Sequence, residues 1–247
     1  MNNYKLETII NQKLNTHLFK DFSPNGLQVE GCNKIKKIIT GVSICQELID
    51  YAIKDSAQAI IVHHGLFWEN ESKTIKNIKK NRIKSLLCNN INLYSWHLPL
   101  DAHEELGNNR QIAKQLDIII CGKISDFVLW GKFNPAITVK NLLNKIKLKF
   151  HKNPIFFGRS KNHYLQSIAW CSGKGQKFIK HAHYLQLDAF LTGEVSEDTM
   201  YYSRENNINF FSAGHYATEI YGIKALGNWI SKTYHLDVSF ININNPI

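Results

Sequence analysis

The chain has 247 residues, a formal charge of +10 and a pI near 9.3, enough length for one large α/β domain or two intimate halves. Cys32, Cys45, Cys88, Cys121 and Cys171 are odd in number, widely spaced and without a C-x-x-C pair, which supports neither a disulfide framework nor a thiolate zinc site. No stretch reaches the roughly eighteen consecutive apolar residues of a membrane span, so a soluble, cytoplasmic protein is expected. The basic excess would ordinarily suggest a polyanionic partner. The chain is also rich in Lys, Asn and Ile, whose codons are rich in A and T, so genome composition accounts for part of the charge. Lys73, Lys76, Lys80 and Lys84 follow helical spacing and Lys145, Lys147 and Lys149 alternate as on a strand, both reading as solvated faces.

In chain order, residues 4–19 form an amphipathic opening helix, and Ser23-Pro24-Asn25-Gly26 a turn into a short strand at Leu27-Gln28-Val29. A strand is expected over 35–42, with Ser43 as N-cap of a helix to Lys54. Ala59-Ile60-Ile61-Val62 reads as a buried parallel strand ending in His63-His64-Gly65. A basic helix runs to about Cys88, a strand over 91–96, and a helix over 101–116 with Gly107 inside it. Residues 118–166 are looser, with two strands around a helix near 139–148. Strand 167–171 turns at Ser172-Gly173-Lys174-Gly175 into a helix reaching Leu185. After the strand 188–194 come another helix, the strand 209–212 and a helix starting near His215.

The two ends of the chain repeat this order, with Asn89-Asn90-Ile91-Asn92 answered by Asn206-Asn207-Ile208-Asn209. The expected organisation is a first α/β half, 1–125, and a second, 126–247, from an internal duplication around a shared site. Each half carries a strand followed by His-x-x-x-carboxylate: His97 to Asp101 and His215 to Glu219. Residues four apart on a helix share a face, whereas Pro99 makes the first pair a turn, so His97 and His215 correspond only approximately.

His63, His64, His97, Asp101, His215 and Glu219 all stand at or just beyond the carboxyl end of a predicted strand, where α/β sheets place their ligands. Imidazoles with carboxylates and no thiolate suit zinc, manganese, iron, cobalt or nickel. Because successive strand residues point to opposite faces, His63 and His64 are expected to serve different ions. Two ions bridged by Glu219 would use the whole set. A plain polar strand ending is the competing reading. The remaining histidines have no ligand partner at useful spacing and read as surface or packing residues. The turn 172–175 lacks the full spacing of a phosphate-binding loop.

Asn25-Gly26-Leu27-Gln28, His63-His64-Gly65, His97-Leu98-Pro99-Leu100-Asp101, Asp188 through Glu194 and Gly214-His215-Tyr216-Ala217-Thr218-Glu219, in this order, resemble the Nif-three-like dinuclear metal proteins, often labelled GTP cyclohydrolase I type 2. The length resembles the short bacterial form. The resemblance implies a duplicated α/β, Nif-three-like fold of layered sheets. It implies His63, His64, Asp101, His215 and Glu219 as ligands of two divalent metals, and His97 as a site-lining residue that moves protons. It also implies a homohexameric ring, a trimer of dimers. The function this suggests is a metal-dependent hydrolase acting on a nucleotide-like or phosphorylated small molecule. Two alternatives are a non-catalytic ring that binds DNA or protein with structural metals, and GTP cyclohydrolase activity itself.

Overall fold

The computed structural model describes residues 1–247, and the chain clusters into two compact units, Met1–Leu106 with Gly222–Asn244 and Gly107–Tyr221 with Asn245–Ile247. The first contains α1 (Asn3–Lys13), β1 (Gly26–Val29), β2 (Lys37–Ser43), α2 (Gln46–Lys54), β3 (Ala59–His64), α3 (Asn77–Cys88), β4 (Asn92–Ser95) and α4 (Leu98–Ala102). The second contains α5 (Asn108–Leu116), β5 (Ile119–Ser125), β6 (Val128–Thr138), α6 (Val139–Phe150), β7 (Ile155–Phe157), β8 (Tyr164–Trp170), α7 (Ile179–Tyr184), β9 (Ala189–Thr192), α8 (Glu197–Glu205) and β10 (Asn209–Ser212). The last helix, α9 (His215–Tyr234), starts in the second unit, and Gly222–Asn244, including β11 (Asp237–Phe240), belong to the first.

The mixed α/β class is as expected. The first unit's sheet runs β1-β4-β3-β2-β11 and the second's β5-β6-β8-β9-β10-β7. At the centre of each lie three parallel strands, β2-β3-β4 and β8-β9-β10, with an antiparallel strand beside the last, β1 on β4 and β7 on β10. Parallel strands covered on both faces are continuously apolar, and Ala59, Ile60, Ile61 and Val62 are all completely buried.

The duplication is written in buried polar contacts as well as in topology. Asn92 pairs with Ala59 across the β3-β4 ladder, and Asn209 pairs with Ala189 across β9-β10. The Asn92 side chain donates to the Gln58 carbonyl at 3.0 Å and accepts the Gly31 N–H at 2.9 Å. The Asn209 side chain donates to the Asp188 carbonyl at 2.9 Å and accepts the Arg159 N–H at 3.0 Å. Asn90 and Asn207 both take the left-handed backbone, with φ of 52° and 54°, a conformation asparagine tolerates better than most residues. The shared Asn-Asn-Ile-Asn thus reflects one turn and one buried amide used twice.

Several local expectations are corrected. Ser43 extends β2 and does not cap α2, whose N-cap is Cys45; its hydroxyl is used on His64 instead. The basic helix starts at Asn77, so Lys73 precedes it and Lys76 is only its N-cap. Lys145, Lys147 and Lys149 lie on α6, not on a strand. The segment after His97 is a short helix rather than a turn, because Pro99 falls in the first turn, where an N–H has no intrahelical acceptor. The helix expected over 101–116 is broken into α4 and α5. The His103 ring makes the break: its Nδ1 accepts the N–H groups of Glu105 and Leu106, both at 3.0 Å, and its Nε2 donates to the Lys13 carbonyl at 2.9 Å. Burial, followed by nearby Lys13, lowers the pKa of this imidazole and keeps it neutral, as an accepting Nδ1 requires.

Truncating either repeated asparagine strands buried backbone groups, so Asn92→Ala and Asn209→Ala are each expected to destabilise their unit by about 2–3 kcal/mol. Urea denaturation of each variant beside the wild type checks this; a loss below about 0.5 kcal/mol would mean that the amides are not structural.

Candidate metal centre

In the first unit, β3 and β4 end side by side and bring His63, His64, His97 and Asp101 together. The ligand atoms of His63, His64 and His97 all lie within 4.8 Å of one another. The ring centroids of His63 and His64 are 4.6 Å apart. The β3-β4 pairing stops at Val62 and Ser95, while β3 stays paired with β2 as far as His64 opposite Ser43.

Each imidazole is oriented through Nδ1. His63, completely buried, donates from Nδ1 to the Trp96 carbonyl at 3.0 Å. A carbonyl only accepts, so the neutral ring carries its lone pair on Nε2, which lies 3.5 Å from Oδ1 of Asp101. Two acceptors at that separation need a proton or a cation between them. His64 places Nδ1 2.8 Å from the Ser43 hydroxyl. His97 donates from Nδ1 to Asp21 at 2.8 Å, and Asp21 also accepts from the Leu98 N–H at 2.8 Å and the Asn25 amide at 2.9 Å. Burial would raise the Asp21 pKa, but the His97 hydrogen bond and charge, Asn25 and Leu98 outweigh it and lower it to about 2. Ligand histidines characteristically donate their other ring N–H to a carboxylate or carbonyl in this way.

The Asn-Gly-Leu-Gln motif frames these groups. The Asn25 side chain accepts the His97 N–H at 2.8 Å, and Gln28 accepts the Leu66 N–H at 2.8 Å, just beyond His64. Between them Gly26 has φ of 107°, and a Cβ there would lie 2.3 Å from Glu7 Oε1, the atom that accepts the Leu27 N–H. Gly65 is equally constrained, since a Cβ on it would meet the Gln28 amide at 2.2 Å.

In the second unit, His215 and Glu219 share one face of α9, with Nε2 and Oε1 3.2 Å apart. His215 Nδ1 is 2.7 Å from Glu194. Burial works to lower the His215 pKa, but Glu219 and then Glu194 raise it to about 9, so without a metal the imidazole is a cation between two carboxylates. The turn 172–175 has a role unrelated to phosphate: Gly173 has φ of 58°, and a Cβ there would lie 2.3 Å from Glu219 Oε1. Its N–H is taken by the Thr218 hydroxyl at 3.0 Å.

Strand register revises the internal correspondence. Ser95 donates to the His63 carbonyl and Ser212 to the Gly193 carbonyl, so His63 matches Gly193, His64 matches Glu194, and His97 matches Gly214 rather than His215. Asp21 and Glu194 are the residues that sequence reasoning left out. For Glu194 the signal was present, because aligning 59–64 with 189–194 sets it against His64.

These donor sets, imidazole Nε2 atoms with carboxylates and a glycine pressed against Glu219, suit a divalent cation. The chain matches the Duf34/NIF3 (NGG1p interacting factor 3) family over residues 1–246. It belongs to that family. Among Duf34/NIF3 relatives, it is 55% identical over 247 residues, covering 100% of both chains, to the GTP cyclohydrolase 1 type 2 homolog of Buchnera aphidicola subsp. Baizongia pistaciae (strain Bp). It is 48% identical to the protein of that name from Escherichia coli (strain K12), again with 100% of each covered. A solved structure described as protein ybgI, of unknown function, superposes with a TM-score of 0.98 at 48% identity over 100% of both chains. No helix of this Duf34/NIF3 chain is long and apolar enough to cross a membrane.

Gly173→Ala adds a Cβ onto Glu219 in a left-handed backbone position. It is expected to weaken manganese binding at least about tenfold, by isothermal titration, with the far-ultraviolet circular dichroism unchanged; wild-type affinity would show that Gly173 does not shape the centre.

Proposed function

We propose that this Duf34/NIF3 chain is a metal-dependent hydrolase holding two divalent ions per subunit and acting on a nucleotide-like or phosphorylated small molecule. In this reading His63, His64 and Asp101 from the first half and His215 and Glu219 from the second are the ligands, with Glu219 shared. The observation that carries it is the repeated fixing of Nδ1 on a pure acceptor, the Trp96 carbonyl, Asp21 or Glu194, which commits the imidazoles of His63, His97 and His215 to present Nε2, while Nδ1 of His64 is held at the Ser43 hydroxyl.

Bound divalent ions supply Lewis acidity and lower the pKa of water, to about 7 with zinc. The protein supplies orientation. Asp101 opposite the His63 lone pair and Glu219 opposite His215 provide the anionic oxygens, and both carboxylates are buried. His97, held by Asp21 from one side and by Asn25 through its backbone, is the group assigned to move a proton at Nε2. None of the candidate ligand groups contains a cysteine. The relatives' name brings ring opening of GTP into the panel as one reaction to be assayed.

The test is to load the purified chain with manganese or zinc, count the bound ions, and assay a broad panel of nucleotides and phosphate esters. About two ions per chain are expected, with hydrolysis of at least one panel member. Glu219→Gln should reduce the rate by about 10²-fold or more. Full activity of Glu219→Gln, or a loaded protein that hydrolyses nothing in the panel, would remove the hydrolase reading.

A further inference from the structure

The loop after β3 carries an aromatic residue that the proposed chemistry leaves unused. Trp68 lies beside the histidines, its ring 5.8 Å from that of His64 and 5.1 Å from that of His97, with the indole and His97 planes crossing at 80°. Unlike Trp96 and Trp170, which are completely buried and donate their indole N–H to Asn11 and to the Asn109 carbonyl, Trp68 is only partly buried. It is an amphipathic surface at the edge of a polar site rather than a core filler.

Its position is set by neighbouring backbone. The Glu69 N–H donates to the Phe22 carbonyl at 2.8 Å and the Glu71 N–H donates back to the Trp68 carbonyl at 3.1 Å. Lys79, from α3, reaches the Ser72 carbonyl at 3.3 Å, lies 3.8 Å from Glu71 and sits over the Phe67 ring at 4.8 Å. Phe22, next to the Asp21 that holds His97, is itself 58% exposed. Residues 69–76 contain Glu69 and Glu71 against Lys73 and Lys76, so this loop offers no net positive charge to a polyanion. What it offers is an aromatic face held in place before any ligand arrives.

We propose that Trp68 is a stacking platform for the base of a nucleoside phosphate, placing that ring beside His64 and His97. This rests on the metal-centre reading and names the substrate class for it. A ring stacked on the indole is parallel to it and so lies across the His97 imidazole plane at about the same 80°. Recognition by stacking accepts any base. Specificity among bases is therefore expected to be weak, while discrimination between a nucleotide and the same sugar phosphate without a base is strong.

The experiment uses the full-length, manganese-loaded chain and compares its affinity for adenosine monophosphate with that for ribose 5-phosphate. Wild type is expected to prefer the nucleotide at least about tenfold. Trp68→Ala should lose that preference while its ribose 5-phosphate affinity, manganese content and melting temperature stay unchanged, and Trp68→Phe should keep part of it. Equal wild-type affinity for the two ligands, or a preference that survives in Trp68→Ala, overturns the platform and leaves the metal centre standing. Failure of the wild type to take up manganese overturns the metal reading and this proposal with it.

Discussion

The hydrogen bond from His63 Nδ1 to the Trp96 carbonyl joins the ends of two neighbouring parallel strands and decides which nitrogen of a completely buried ring carries a lone pair. Much of the histidine cluster in the first unit follows from it. With Nδ1 protonated, Nε2 and Asp101 face each other as acceptors, an arrangement tolerated only with positive charge between them. The same device recurs at His97 with Asp21 and at His215 with Glu194. Orienting partners of this kind remove rotational freedom before any ligand binds and place the donor atoms at a cost already met in folding.

The framework around these bonds is a duplicated βαβαβ unit in which each copy ends its middle strands at the same edge. Duplication explains why the turn asparagines, the buried amides of Asn92 and Asn209 and the serines Ser95 and Ser212 recur in register. Divergence explains the rest. The first copy keeps two histidines at the end of β3, while the second has Gly193 and Glu194 there and delivers its histidine one position after the residue matching His97. Gly193 could not be a histidine, because a Cβ there would lie 2.6 Å from the backbone of His215. The two copies thus place different side chains on one scaffold, mostly imidazoles in the first and mostly carboxylates in the second.

Much of this organisation was legible in the sequence because it is local. A buried apolar run such as 59–62 announces a parallel strand, and polar residues at its end mark a candidate functional edge. The His-x-x-x-Glu spacing on α9 survives intact because an α-helix carries its own geometry. Less legible were features set by distant partners. Ser43 resembles an N-cap until His64 claims its hydroxyl, and the helix expected over 101–116 looks continuous until the His103 ring captures the Lys13 carbonyl from α1. The return of the chain to the first unit, where β11 pairs in parallel with β2, left no local signal, since a four-residue strand after a helix has little pattern of its own.

By itself the sequence determined the α/β class, the duplication and the identity of six residues at strand ends, because these depend on periodicity, repetition and residue chemistry. Only the tertiary structure decided how those residues are held: that Asp21 orients His97, that Glu194 stands where the first copy has His64, and that Gly173 is the surface against which Glu219 rests. Hydrogen-bond direction and the approach of one backbone to another's side chain arise between segments far apart in the chain, so no pattern within a single segment encodes them.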